Sequence, residues 1–578
     1  MFKLKRFLRP YKTQLIIGPF FKLMEAILEL LIPWMMVYVI DIGVKSNDKS
    51  YVIKMGFLML VICAVGLICA LVCQYSASIA SQGFGTNLRN YLYQHLNAFS
   101  LRESDKFGTS SLVNRLVNDV NVLQQAVAML IRLVIRAPFI CIGSLVMAML
   151  LDFKLSMIIL LSFPLFVGAI YIIMSKTIPL YKKVQGKLDQ YITVIRENLS
   201  GVRVIRAFSK TAYERERFGE SNTDYVETAV HVGKISALLN PITMLIMNFA
   251  IIAILWFGGI RIDEGYMTQG EIVAFINYIS YMITALIVVA NLIILFTRAA
   301  ASGARVNEVL DTQATVLDNE KQNHPSGNPN NVIEFQNVTF AYGDVSVPAL
   351  EDITFCLRKG ETLGIIGSTG SGKSTLVHLI PRFYDVTSGQ VLFAGKDVRN
   401  YPQKVLRDKI GMALQKTELF SGTISENIRL GKENATDDEV RHAAQAAQAM
   451  EFIVNMPKAF DTYVERGGAN LSGGQKQRLN IARALVREPE LLILDDSSSA
   501  LDYATDAALR KELKRFTKEN GMSTIIVSQR ISSVRDADKI LVLDDGKTAG
   551  IGTHTELLEN CAVYREICDS QNTEKEGD

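Results

Sequence analysis

Residues 361–380, ETLGIIGSTGSGKSTLVHLI, decide the fold of the C-terminal half of this chain. A short apolar strand runs directly into GSTGSGKST, which matches the phosphate-binding pattern G-x-x-x-x-G-K-[ST], and an apolar segment follows. Glycines let backbone N–H groups approach phosphate oxygens, the lysine reaches the β- and γ-phosphates, and the serine hydroxyl is a magnesium ligand. The predicted nucleotide-binding residues are Gly367, Ser368, Thr369, Gly370, Ser371, Gly372, Lys373, Ser374 and Thr375.

Two further motifs follow this loop. The apolar strand LLILDD, residues 491–496, ends in two aspartates, and Asp495 is placed to hold magnesium from the strand end. The segment LSGGQ opens a helix, KQRLNIARAL, where free N–H groups favour an anion. Its predicted site residues are Ser472, Gly473, Gly474 and Gln475. Together the motifs predict an α/β P-loop ATPase that binds ATP and Mg²⁺.

The composition points to a second environment. The chain has 578 residues, with 49% hydrophobic and 21% charged residues, and its mean hydropathy of +0.20 is high for a soluble protein. No charged residue lies between Lys54 and Arg89, or within 155–175, 235–260 and 272–297. Each run reaches the roughly 20 residues that cross a bilayer as a helix. The net charge of only +3 gives no electrostatic footprint for nucleic acid, so no nucleic-acid partner is expected.

Six membrane-spanning helices are predicted, at about 14–43, 53–81, 126–151, 155–176, 237–260 and 270–298. The first and third are the least clear, because the first carries Lys22, Glu25 and Glu29 and the third has a short uncharged run. The long segments after the second and fourth spans have helical periodicity, so these helices are expected to continue into the cytoplasm. The basic, amphipathic start of the chain predicts a helix on the membrane face, with a solvated tail as the alternative.

The predicted organisation is therefore an α-helical six-span domain over residues 1–310, a polar linker over 311–331 and an ATPase domain over 332–578. No cleaved signal peptide is expected at the start. An even number of spans places the amino terminus and the ATPase domain on the same side. Because ATP is cytosolic, both are expected in the cytoplasm of a multi-pass cell-membrane protein.

These motifs resemble the nucleotide-binding domain of ABC transporters, and six spans ahead of one such domain resemble a half-size multidrug-type exporter. The resemblance implies that Tyr342 stacks on adenine and that Gln415 contacts magnesium together with Ser374 and Asp495. It implies that SALD, residues 499–502, crosses a dimer interface in which each LSGGQ completes the partner's P-loop site. It also implies two short coupling helices, with candidates around Leu101–Phe107 and Thr211–Phe218.

Two positions depart from the family pattern, which has a catalytic glutamate after the magnesium aspartate and a histidine after the next strand. Asp496 and Gln529 occupy these positions. A base displaced by about 1 Å can cost roughly 10²-fold in rate, and glutamine cannot carry the charge of an imidazolium. Both changes predict slow hydrolysis. A heterodimer follows as a hypothesis, in which the second exporter half-subunit holds the competent site; a homodimer with Asp496 as base is the alternative.

Polar residues in the spans suggest a route for amphipathic small molecules across the lipid bilayer. In the sixth span they share a face that would line a cavity or bond a neighbouring helix: Asn277, Ser280, Thr284 and Asn291. In the first span Lys22, Glu25 and Glu29 share a face; intramembrane charges often face a cavity, and a structural Lys22–Glu25 pair is the alternative. The fifth span adds Asn240, Met244, Met247 and Asn248. A lipid or peptide exporter is the competing function, although the protease-like domain that would favour the peptide case is not expected before residue 1.

Overall fold

The computed structural model describes residues 2–318, 327–343, 347–497 and 501–573. The chain divides into two compact units. The first consists of Met1–His95 and Ser110–Asp311, and the second consists of Leu96–Thr109 and Thr312–Asp578. Helix therefore continues to Asp311, and a short segment from the N-terminal half belongs to the C-terminal unit.

Long helices build the first unit. They begin with a 3₁₀ segment, Phe2–Tyr11, and include π-helical turns at Val39–Val44 and Arg115–Asp119. The α-helices of the N-terminal half are α1 Lys12–Tyr38, α2 Lys49–Asn97, α3 Leu101–Phe107, α4 Thr109–Asn114, α5 Val120–Arg132, α6 Arg136–Leu151, α7 Phe153–Ser200, α8 Val202–Ala207, α9 Thr211–Ala237, α10 Leu239–Asp263 and α11 Gln269–Asp311. Of these, α3 lies in the second unit.

Six helical segments are long and apolar enough to cross a membrane: Lys3–Val44, Lys49–Asn97, Thr109–Leu151, Phe153–Ser200, Thr211–Asp263 and Gln269–Asp311. The six predicted spans are thus confirmed. Since a helix rises about 1.5 Å per residue, the 49 residues of α2 and the 48 of α7 far exceed a hydrocarbon core of about 30 Å. These helices therefore extend well beyond the bilayer, as their periodicity predicts.

The start of the chain packs on the second helix instead of forming a solvated tail. Leu4 and Phe7 are buried, the Phe7 ring lies edge-on to Tyr91 at 5.4 Å, and the Arg6 guanidinium lies 4.3 Å from the Tyr91 ring centre. This packing accounts for the alternation of apolar and basic residues in the segment.

Ion pairs neutralise Lys22, Glu25 and Glu29 of the first span. Lys22 Nζ lies 2.7 Å from Glu25 Oε1, and Arg136 Nη2 lies 2.7 Å from Glu29 Oε2. The structural pair that the sequence left open is therefore present, and Glu29 has a partner from the third span. A helix break at 133–135, just before Pro138, separates α5 from α6 and precedes Arg136.

Polar contacts also join distant helices of this unit. The buried Tyr278 hydroxyl donates to the Leu30 carbonyl at 3.0 Å. Arg261 Nε donates to Asp152 Oδ2 at 2.9 Å, and Arg305 Nε donates to the buried Asp119 at 2.9 Å. The polar residues of the sixth span instead bond their own helix: Asn277, Ser280 and Thr284 donate to carbonyls four residues earlier. These three therefore do not tie the sixth span to a neighbour through the bonds they donate.

The second unit is built on strands β1 Asn331–Phe340, β2 Leu350–Arg358, β3 Thr362–Gly367, β4 Ser388–Phe393, β5 Lys396–Asp397, β6 Ile410–Ala413, β7 Gly422–Thr423, β8 Tyr463–Val464, β9 Leu491–Asp495, β10 Ser523–Val527, β11 Lys539–Asp544 and β12 Lys547–Gly552. Its further helices are α12 Lys373–Leu379, α13 Gln403–Asp408, α14 Ile424–Arg429, α15 Asp437–Ala446, α16 Met450–Val454, α17 Gly473–Leu485, α18 Tyr503–Asn520, α19 Ile531–Val534, α20 His554–Asn560 and α21 Ala562–Thr573.

The main sheet has the order β12-β11-β3-β10-β9-β6 and is parallel except for β12. A second, antiparallel sheet has the order β2-β1-β4-β5. Because β3, β9 and β10 are parallel neighbours, their carboxyl ends meet at one edge, where binding sites of α/β sheets form. The fold is therefore a six-span helical domain fused to an α/β P-loop domain, as predicted.

The Glu29–Arg136 pair gives a test of this packing. Glu29→Gln or Arg136→Gln alone should lower the free energy of unfolding by about 1–3 kcal/mol, because each leaves a partly buried charge without its partner. The double variant should recover most of that loss. Thermal unfolding of the purified chain in detergent measures the effect, with the exposed Lys3–Asp311 pair as control. Fully additive losses in the double variant would contradict the pairing.

Candidate nucleotide-binding site

The loop between β3 and α12 is held in a tight curve by its glycines. A Cβ on Gly367 would overlap the Leu543 carbonyl and lie 2.6 Å from Ser371 Oγ. Gly370 and Gly372 have φ of +88° and +93°, in the left-handed region that favours glycine. These positions explain why the loop needs its glycines.

Lys373 is the buried cation of the loop. Its Nζ donates to the carbonyls of Gly367 at 2.8 Å and Ser368 at 2.6 Å. Burial lowers the pKa of Lys373, and the carboxylates of Asp496 and Asp495 oppose that shift. The ammonium is therefore positioned by the backbone of the loop that surrounds it.

Asp495 and Asp496 stand at the end of β9 in different surroundings. Asp495 is 1% exposed, and Ser374 Oγ donates to its Oδ1 at 2.9 Å. Burial raises the pKa of Asp495, and the Ser374 hydrogen bond opposes the rise. A hydroxyl and a carboxylate this close are oxygen donors of the kind that magnesium prefers, so the residues fit the ion.

Asp496 has φ of +46°, and its N–H donates to the Val527 carbonyl at 3.0 Å. Its Oδ2 accepts from Gln415 Nε2 at 3.5 Å. Burial raises the pKa of Asp496, while Lys373 and Arg530 oppose the rise. The carboxylate that stands where the family has a glutamate is thus held beside the lysine of the loop.

A cavity of about 340 Å³ joins these groups. It is lined by Tyr342, Ala349, Thr369, Gly370, Gly372, Lys373, Ser374, Thr375, Gln415, Asp495, Asp496, Val527 and Gln529. Gly367, Ser368 and Ser371 instead shape the loop around the lysine. The structure therefore brings together most of the predicted ATP-site residues, including both that depart from the family pattern.

Tyr342 closes one part of this cavity. Its hydroxyl donates to Thr375 Oγ1 at 3.0 Å, and its ring lies edge-on to Phe340 at 4.8 Å and to Tyr384 at 5.3 Å. The residue is still 39% exposed. An aromatic face held by two rings and open to solvent can stack on a base.

The LSGGQ segment lies elsewhere in the described chain and does not line this cavity. Ser472 caps α17: its N–H donates to Gln475 Oε1 at 2.9 Å, and its Oγ accepts from the Gln475 N–H at 3.3 Å. Ser472 and Gly473 are exposed, and Gly474 and Gln475 are half-buried. Of the SALD segment, Ser499 and Ala500 lie outside the described residues, while Asp502 caps α18 through Thr505.

The first predicted coupling helix forms as α3, Leu101–Phe107, and packs within the C-terminal unit. The Tyr384 hydroxyl donates to Asp105 Oδ2 at 2.8 Å. Burial raises the pKa of Tyr384, and the hydrogen bond to Asp105 raises it further. The phenol therefore stays a donor at physiological pH. Motif analysis placed Asp105 in the predicted coupling helix but missed Tyr384 and their contact, because only the short RFYD segment after α12 hints at an aromatic there.

The second predicted coupling helix is wrong in its bounds. Thr211–Phe218 forms the first turns of the long helix α9. The separate short helix is α8, Val202–Ala207, which ends where Ser209 adopts φ of +53°. The local break at Ser209 separates this short helix from α9.

Comparison with known proteins agrees with this architecture. Residues 15–286 match the family model of the ABC transporter transmembrane region, and residues 350–499 match the ABC transporter family model. An uncharacterised ABC transporter ATP-binding protein of Mycobacterium tuberculosis is 37% identical over 572 residues, covering 98% of both chains. A candidate multidrug export ATP-binding/permease protein of Bacillus subtilis, YgaD, is 33% identical over 581 residues and 98% of both chains.

The ATP-dependent lipid A-core flippase of Syntrophus aciditrophicus is 33% identical over 499 residues, covering 84% of this chain and 82% of that protein. A bacterial Atm1-family ABC exporter with ATP bound has the same fold, with a TM-score of 0.76, 24% identity and 98% coverage of both chains. The chain therefore belongs to the ABC transporter family. It is a half-size, multi-pass exporter with an ATP-hydrolysing domain.

The Tyr384–Asp105 contact can be tested with a matched pair of tyrosines. Tyr384→Phe should lower substrate-stimulated ATP turnover of the assembled transporter roughly 3- to 10-fold, because a hydrogen bond to a carboxylate is lost. Nucleotide binding should be unchanged, since the ring contact with Tyr342 remains. Tyr401→Phe is the control, because it removes a hydroxyl bonded to the Phe393 carbonyl. Equal effects of the two substitutions on turnover would rule out a specific role of the contact.

Proposed function

We propose that this chain is one half of a heterodimeric exporter of amphipathic small molecules, whose own P-loop site binds ATP with Mg²⁺ and hydrolyses it slowly. The observation that carries the proposal is that Asp496 and Gln529 both line the nucleotide cavity beside Lys373. Two departures from the family pattern in one cavity affect one chemical step.

The chemistry at these positions favours retention of ATP over its rapid hydrolysis. The Asp496 carboxylate is one methylene shorter than the glutamate that activates water in the family, and burial raises its pKa. A shorter side chain places the base farther from the reacting water, and small displacements of a catalytic group are costly. Gln529 stands where the family histidine holds the γ-phosphate, so it can donate a hydrogen bond to that phosphate but cannot become positively charged near neutral pH.

The signature segment supports pairing with another chain. Ser472 and Gly473 are exposed, lie at the start of α17 and are outside the cavity of their own chain. A helix start with free N–H groups suits phosphate binding. We therefore assign Ser472, Gly473, Gly474 and Gln475 to the partner's site. Magnesium held by Ser374, Gln415 and Asp495 would neutralise charge on the bound phosphates.

The spans support an amphipathic substrate more than a cationic one. Glu25 and Glu29 are engaged by Lys22 and Arg136, so neither carboxylate is left to attract a cation. Thr284 and Asn291 in the sixth span are exposed in the single chain, as are Met244 and Asn248 in the fifth. Such mixed surfaces suit uncharged or amphipathic compounds. The amino terminus and the ATPase domain are assigned to the cytoplasm of a cell-membrane protein.

Lipid export is the second candidate function, because the lipid A-core flippase is similar over most of both chains. Inside-out vesicles that contain the chain, a coexpressed partner half-exporter, or both would distinguish the possibilities. ATP-dependent uptake of an amphipathic dye only with both halves supports the proposal. Uptake by the lone chain would favour the homodimer, and movement of labelled lipid without dye uptake would favour lipid export.

Restoring the family residues should increase hydrolysis at this chain's own site. The double variant Asp496→Glu/Gln529→His should raise ATP turnover roughly 10- to 100-fold, because the base regains its reach and a histidine can hold the γ-phosphate. The variant is measured in the assembled transporter with the partner's catalytic base replaced, so that only one site reports. Rapid turnover by the unaltered site under the same conditions would refute slow hydrolysis. Lys373→Ala, which removes the phosphate-binding cation, is the control for background activity.

A further inference from the structure

The last helix of the described chain reaches the loop that follows β10. Gln571 Nε2 donates to the Gln529 carbonyl at 2.7 Å, and the Ile531 N–H donates to Gln571 Oε1 at 2.9 Å. One side-chain amide thus satisfies an acceptor and a donor of backbone groups two residues apart. Gln529, which lines the nucleotide cavity, is one of these two residues.

The same side-chain amide also supports the start of the helix that follows this loop. Helix α19 begins at Ile531, and the preceding Arg530 provides no side-chain cap. The first N–H groups of a helix have no intrahelical partner, so the Gln571 oxygen replaces a missing cap. The Arg530 N–H donates to Ser528 Oγ at 3.0 Å, which holds the loop on the side of Gln529 nearer β10.

Helix α21 is itself firmly anchored. Tyr564 and Cys568 are buried in a cluster with Ile366, Val534 and residues of β11, and the Tyr564 hydroxyl lies 2.7 Å from His554 Nδ1. Residues 564, 568 and 571 are spaced by four and three, so they share one face of the helix. The packing that buries Tyr564 and Cys568 therefore directs Gln571 toward the loop.

We infer that Gln571 is a positioning residue that holds the Gln529 loop at the γ-phosphate end of the nucleotide site. The inference rests on the proposed contact of Gln529 with the γ-phosphate. Gln571 does not line the cavity, so it acts through the backbone of Gln529. The consequence is preferential retention of ATP over ADP, because only ATP carries the phosphate that this loop faces.

The test compares binding of a non-hydrolysable ATP analogue and of ADP to the purified full chain, by displacement of a fluorescent nucleotide. Gln571→Ala should weaken binding of the ATP analogue about 3- to 10-fold, the equivalent of one or two hydrogen bonds, and leave ADP binding unchanged. Gln571→Glu should behave in the same way, because a carboxylate cannot donate to the Gln529 carbonyl. Ser570→Ala is the matched control, since its hydroxyl donates to the Ile567 carbonyl of its own helix.

Gln529→Ala completes the experiment. It should cause the same selective loss, and Gln529→Ala/Gln571→Ala should add nothing to it. Equal weakening of both nucleotides, or no weakening, by both Gln571 variants would overturn the inference. If Gln529→Ala is selective and Gln571→Ala is not, only the positioning role fails. If Gln529→Ala has no effect, the assignment of Gln529 to the γ-phosphate fails, and the role of Gln571 fails with it.

Discussion

Parallel pairing of β3 with β10 on one side and β11 on the other is the constraint on which the nucleotide site depends. This pairing sets the register of β3, so that the chain leaves the sheet at Gly367 close to the ends of β10 and β9. Gly367 tolerates no side chain because the end of β11 occupies that space. Lys373, Asp495 and the Gln529 loop converge because the strands that precede them end at one edge of the sheet.

The spans and the P-loop could be predicted because each depends on residues that are close together in the sequence. Uncharged runs of about 20 residues identify spans because a bilayer excludes unpaired charge and unbonded backbone. The P-loop could be recognised because its glycines, lysine and serine are contiguous. In contrast, Tyr384 and Asp105 are 279 residues apart, and Gln571 and Gln529 are 42 apart, and no motif links the two members of either pair. Such contacts depend on packing, which pattern analysis does not contain.

The charges of the first span show the same limit. Periodicity placed Lys22, Glu25 and Glu29 on one face, which fits either a cavity or a set of ion pairs. The partner of Glu29 is Arg136 in another span, and only the packed structure identifies it. The bounds predicted for the second coupling helix were wrong for a related reason. The left-handed conformation of Ser209, which separates α8 from α9, could not be recognised from the sequence.

The C-terminal unit is not contiguous in the sequence, since residues 96–109 belong to it. A fragment that begins in the linker would lack α3 and would leave the buried Tyr384 hydroxyl without its acceptor. Such a fragment would report the chemistry of the phosphate loop and not the properties of the whole unit. Because the two segments of this unit lie on either side of residues 110–311, no single cut in the chain yields an intact C-terminal unit.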